Sequence, residues 1–173
     1  MLFALTIGLG AFLLFLVQPM AGKCLLPWFG ATPAVWTTCL LFFQVVLLGG
    51  YAWAHLVGTR LRIRAQAVAH GGLLLLSIGL MAWQGCAWSS PLLPDTSLRP
   101  LDSAAPVARI LGLLAIGVGL PFLLLSATGP LLQSWSHRAT PGRSPYRLFA
   151  LSNAGSLLAL AAYPLVVERA NRR

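Results

Sequence analysis

Acidic side chains are almost missing from this chain. Only Asp95, Asp102 and Glu168 stand against 12 Lys and Arg in 173 residues. General acid–base catalysis needs a carboxylate or imidazole held against a partner. Here two acids fall in a proline-rich stretch and the third at the edge of an apolar run, so no such pair is expected. Cysteine is scarce as well: Cys24, Cys39 and Cys86 form no C-x-x-C pair and no Cys/His ligand spacing, so neither a zinc nor an iron–sulfur site is suggested. No serine lies in a G-x-S-x-G turn, and the three histidines have no acid nearby, so no triad assembles. Gly8-Leu9-Gly10 is a fragment of a glycine-rich loop, but no strand precedes it. The chain is expected to be no enzyme.

What is abundant is apolar surface. Hydrophobic residues make up 58% of the chain, charged residues 9%, and the mean hydropathy is +0.81, whereas about a quarter of a soluble domain is charged. Five apolar runs, at about 2–21, 34–57, 65–83, 107–132 and 148–167, are each long enough for a hydrocarbon core of roughly 30 Å. The fold class is therefore an all-α integral membrane protein. The first run has no basic flank, so it reads as a spanning helix rather than a leader. Pro19 is expected to break it, ahead of a loop with Pro27 and Gly30, and Pro33 to start the second span at a position where its missing N–H costs little. Residues 84–106 carry four prolines and many serines, which lipid cannot accommodate, so they form an external loop.

The net charge of +9 does not point to nucleic acid, because the basic residues sit in short connections and a basic tail, 168–173. Arg60, Arg62 and Arg64 occupy one connection; Arg138, Arg143 and Arg147 occupy another. Lipid headgroups are their expected partners. By the positive-inside rule both connections, and the amino terminus, lie on the cytoplasmic side of a bacterial inner membrane. Lys23, Arg99 and Arg109 fall on the opposite side; Arg169, Arg172 and Arg173 add to that side and even the count at six each. Trp28, Trp36, Trp83, Trp88 and Tyr163 mark the outer span ends, and Trp53, Trp135 and Tyr146 the inner ones.

Inside the spans a few residues stand out. Gln44 is an amide near the middle of the second span, suited to bonding a neighbouring helix or a transported ligand. Ser152, Asn153, Gly155, Ser156 and Ala159 form a small, polar face for helix packing, with small residues four apart. Gly8, Gly10, Gly71 and Gly72 permit close approach. Pro121 and Gly129-Pro130 are expected to kink the fourth span, with Ser126 and Thr128 available to freed carbonyls. His55 and His70 lie on adjacent antiparallel helices, where they are either axial ligands to a haem or pigment or ordinary interfacial hydrogen bonders. Cys24 and Cys86 fall on one side and are a candidate disulfide. No cofactor is demanded; bound lipid is expected.

Four words carry a family resemblance: QPMAGKCLLPWFG from Gln18, TPAVWTTCLLFFQVVLLGGYAWAHL from Thr32, LPFLLLSATGPLLQSW from Leu120, and YRLFALSNAGSLLALAAYPLVVE from Tyr146. In that order, they resemble the amino-terminal membrane half of bacterial fused proteins. In those, a major-facilitator-like bundle precedes a spermidine-synthase-like, aminopropyltransferase-type domain. The resemblance implies part of a major-facilitator half-bundle without the enzyme-like domain. Five spans are fewer than the six of such a half. The expected function is a non-catalytic subunit packing with other membrane protein subunits and lipids, in a complex of respiratory or photosynthetic kind. The alternatives are part of a transporter for a polyamine-like molecule or other metabolite, or a membrane anchor for a separate synthase-like enzyme.

Overall fold

The computed structural model describes residues 2–87, 105–139 and 146–167. All its regular elements are helical: α1 Leu2–Phe29, α2 Pro33–Arg60, α3 Ile63–Ala87, α4 Pro106–Leu114, α5 Leu120–Ala139 and α6 Tyr146–Ala162. A π-helical turn, Ala115–Gly119, joins α4 to α5, and a second, Tyr163–Val167, follows α6. Among the described residues five helices are long and apolar enough to cross a membrane, with α4 and α5 forming one span, Pro106–Ala139. The chain is an all-α, multi-pass membrane protein.

The helices outrun the apolar stretches that announce them. At 1.5 Å per residue a helix of 28 residues is about 42 Å long, so hydropathy marks the part in hydrocarbon and the helix continues into the headgroups. The first helix passes through Pro19 and Pro27 instead of stopping at the former. The turn to α2 is only Gly30–Thr32, made possible by Gly30 at φ +86°, and Pro33 opens α2 as expected. Beyond the turn the Trp36 ring lies on Gly22, where an added Cβ would stand 2.9 Å from it. That contact staples the hairpin.

The fourth span is the hub. Half of its most apolar window is buried, against 11% for the first and last spans. Its α5 portion touches α1, α2 and α3, while α6 packs along α1 and α3 hangs on α5 more than on its hairpin neighbour α2. Phe43 and Phe122 meet at the centre, ring centroids 4.8 Å apart, inside a cluster with Leu14, Leu25 and Ile110. A second cluster joins Ala54, Val57, Ala127 and Leu131. Most remaining leucines face outward, as lipid as solvent allows.

The kink expected at Pro121 takes the form of a π turn. In i→i+5 bonding the Ile116 carbonyl looks to the N–H of residue 121, which proline lacks. Gln84 supplies it from α3, its Nε2 donating to Ile116 O at 3.0 Å. At Pro130 the helix continues without interruption. Ser126 and Thr128 do turn back to the backbone, bonding the Leu123 and Leu124 carbonyls.

Close approach is unevenly used. Gly155 sits so tightly on α1 that a Cβ would strike the Gly8 carbonyl oxygen, and Gly50 sits as tightly on Ser126 and the Leu123 carbonyl of α5. Gly71 and Gly72, by contrast, have nothing within 4 Å. They lie on the open side of α3.

Candidate functional site

The chain direction alternates, so the ends carrying Arg60, Arg62, Arg64, Arg138 and Arg147 come together at one end of the bundle. All five are exposed there. Arg138 reaches across to α2, Nη2 donating to the Gly58 carbonyl at 3.5 Å. Arg143 lies outside the described residues, as do the three acids, the greater part of the 84–106 loop and the basic tail.

Just inside this basic end, Gln66 is wholly buried and ties three helices together. Its Nε2 donates to Leu61 O at 2.8 Å and Gly58 O at 3.3 Å, closing the α2–α3 turn, while Trp135 Nε1 of α5 donates to its Oε1 at 2.6 Å. Trp135 is thus an internal bonding group as well as an interfacial ring. Replacing Gln66 by leucine strands the indole N–H and a carbonyl in apolar surroundings, at about 1–3 kcal/mol per group. The expected result is a lower unfolding midpoint in mild detergent, measured by tryptophan fluorescence.

Deeper in the same seam His70 is buried, its Nε2 3.0 Å from Thr128 Oγ1. Thr128 spends its only proton on Leu124 O at 2.8 Å, so the ring must be the donor. Nδ1 of His70 and Nε1 of Trp53 are buried without a hydrogen-bond partner among the described residues. His55, in contrast, is exposed on α2. One imidazole nitrogen is therefore committed to Thr128 and the other histidine faces outward, and the structure does not present the two as a matched axial pair. Among the described residues no three His, Cys, Asp or Glu converge. Cys24 and Cys86 are free thiols.

A trough of about 920 Å³ lies between α1, α5 and α6, with Tyr51 of α2 among its lining residues. Ser152, Asn153 and Ser156 from the small-residue face line it, joined by Thr6, Thr128 and Gln133. The other two members of that face have a different job: Gly155 and Ala159 are buried, and Gly155 meets α1 backbone. One helix thus uses one side for packing and the next for the trough. No charged side chain among the described residues lines it.

Gln44 departs from expectation. It does not bond a neighbouring helix of this bundle but is exposed on α2, away from the Phe42–Phe43 face. Thr37 and Tyr51, seven residues either side, fall on nearly the same line, since seven residues drift only about 20° from whole turns. His55 is one turn beyond Tyr51, and all four are exposed. Sequence reasoning missed Gln66 and Gln84, because polar residues near span ends look solvated, and nothing in their spacing shows that they fill particular carbonyls.

Comparison with known protein families, curated proteins and solved structures yields no match to this chain.

Proposed function

We propose that this chain is a non-catalytic subunit of a larger membrane protein assembly, docked through the outward face of α2. The observation that carries the reading is Gln44, an amide at mid-span that points out of its own bundle. Hydrocarbon offers no partner to such a group, and leaving it unbonded costs several kcal/mol. Thr37, Tyr51 and His55 extend it into a polar stripe. The Thr37 hydroxyl is occupied by Pro33 O at 2.9 Å, so that residue offers acceptor lone pairs. The partner is a transmembrane helix of another protein with a hydrogen-bonding group at the depth of Gln44. The basic end faces the cytoplasm of the bacterial inner membrane, as positive-inside charge and anionic headgroups favour.

A photo-crosslinking amino acid at position 44, in native membranes, is expected to yield an adduct with a different membrane protein. The same probe at Val68, 75% exposed on α3, is expected to capture only lipid. Equal labelling at the two positions would end the subunit reading, and an adduct of twice the chain mass would replace it with self-assembly. A second reading, part of a small-molecule transporter, draws on the trough and its Asn153. Uptake into proteoliposomes that Asn153→Ala abolishes would favour it over the subunit.

A further inference from the structure

The hydroxyl groups of the trough are already half spent. Thr6 donates to Leu2 O at 3.0 Å, Ser126 to Leu123 O at 2.7 Å, Thr128 to Leu124 O at 2.8 Å and Ser156 to Ser152 O at 3.1 Å. A hydroxyl has one proton and two lone pairs. Ser126 is buried against Gly50 of α2 and Thr128 already accepts from His70, so Thr6 and Ser156 are the hydroxyls left to offer acceptor lone pairs to the trough. An occupant bonds them by bringing its own O–H or N–H.

Charge narrows the occupant further. No charged side chain among the described residues lines the trough, so an anionic or cationic head drawn in as deep as Asn153 would lose water without gaining a counter-ion there, which is costly in low dielectric.

The polarity is also graded along the membrane normal. α1 and α6 run away from the basic end and α5 runs toward it. Thr6, Gln133, Ser152 and Asn153 therefore lie near that end, whereas Leu14, Phe15, Leu157 and Leu160 lie deeper. The rim is open to the side: Phe149, Leu157 and Leu160 are 50%, 67% and 51% exposed. A molecule already in the bilayer can enter laterally, head at the basic end and tail along the leucines.

We propose that the trough is a binding site for an uncharged lipid whose headgroup carries hydroxyl donors, of the diacylglycerol type. The headgroup hydroxyl donates to a serine or threonine oxygen and accepts from the amide of Gln133 or Asn153. The acyl chain covers Leu157 and Leu160. This site meets the docking stripe at Tyr51 and is tested on the isolated chain.

The test uses the full chain in phosphatidylcholine nanodiscs containing a few per cent of dioleoylglycerol, its 3-O-methyl ether, or phosphatidylglycerol, with co-retained lipid measured by native mass spectrometry. Dioleoylglycerol is expected to be retained about tenfold above the methyl ether, the difference one hydrogen bond makes in a desolvated site. Phosphatidylglycerol, which has hydroxyls and a negative charge, is expected to behave like the bulk lipid. Ser156→Ala and Asn153→Leu, both at the partly open wall, are expected to remove most of the preference, while Thr37→Val on the opposite use of the surface leaves it intact. Equal retention of alcohol and ether, a preference for phosphatidylglycerol, or indifference to Ser156→Ala overturns the proposal. So does a dimer mass accompanied by no retained lipid, which would mean that a second copy fills the trough.

Discussion

Replacing Gly155 with valine is expected to pull α6 off α1 and to cost more stability than any other single change in the last span. The Cβ of any side chain there would collide with the Gly8 carbonyl oxygen and stand 3.3 Å from the Gly8 carbonyl carbon and 3.4 Å from the Phe12 nitrogen. All three are backbone atoms of a helix and cannot rotate aside. Overpacking a core costs about 1–3 kcal/mol when side chains can adjust; here the whole helix must move, so about 3 kcal/mol or more is expected. The measurement is the unfolding midpoint in mild detergent. Gly8→Ala is the milder comparison, because its Cβ meets Leu151 Cγ at 3.2 Å, a side chain that can yield. Gly72→Ala is the control. It meets nothing within 4 Å, and its gain in helix propensity, about 0.5–1 kcal/mol, is expected to leave the midpoint equal or higher.

The second large effect is expected at Gly50. Alanine there would overlap Ser126 Oγ, approach the Leu123 carbonyl oxygen to 2.6 Å and Ser126 Cβ to 3.1 Å, at the crossing of α2 and α5. Loss of about 2–3 kcal/mol follows if the helices separate to relieve it. Combining Gly50→Ala with Ser126→Ala removes the hydroxyl but leaves the carbonyl, so the pair is expected to recover only part of the loss, a non-additivity that reports contact. Gly49→Ala is expected to be tolerated, its nearest neighbour being Leu123 Cδ1 at 3.8 Å. Gly50 also adjoins Tyr51, which borders the trough. A displaced α2 is therefore expected to weaken lipid retention and crosslinking from position 44 together, linking packing to both proposed surfaces.

These two glycines show how legibility varied. Gly155 was visible in the sequence because small residues recur four apart around it, a spacing that places them on one helix face. Gly50 has the same spacing, with Ala54 and Gly58 four and eight residues on, and its contact with α5 went unread, while Gly71-Gly72, which looks just as suitable for close contact, is unused. Spacing tells which face is thin. It does not tell whether another helix lies against that face, since that depends on how distant spans pair.

Gln44 and Gln66 make the same point for polar groups. Gln44 is a lone amide at mid-span, for which sequence suggests a bonding partner, whereas Gln66, just after Arg62 and Arg64, looks solvated. Tertiary packing turned Gln66 inward onto Leu61, Gly58 and Trp135 and left Gln44 outside. A quarter-turn rotation of α2 about its axis would carry Gln44 toward the bundle, and sequence does not say whether the line of Thr37, Gln44, Tyr51 and His55 faces inward or outward.

The number of spans, their membrane solvent and the poverty of titratable chemistry were determined by the sequence alone, because the cost of charge and unpaired backbone in hydrocarbon acts on composition before any contact forms. The partnering of α1 with α6, the central place of the fourth span, the inward Gln66 and the trough were decided only by tertiary structure. In a bilayer every helix face is apolar enough to meet lipid, so burial is chosen by close steric fit and by which carbonyls lack a donor, and both depend on residues on different spans, as Gly8 and Gly155 or Gln84 and Ile116 are.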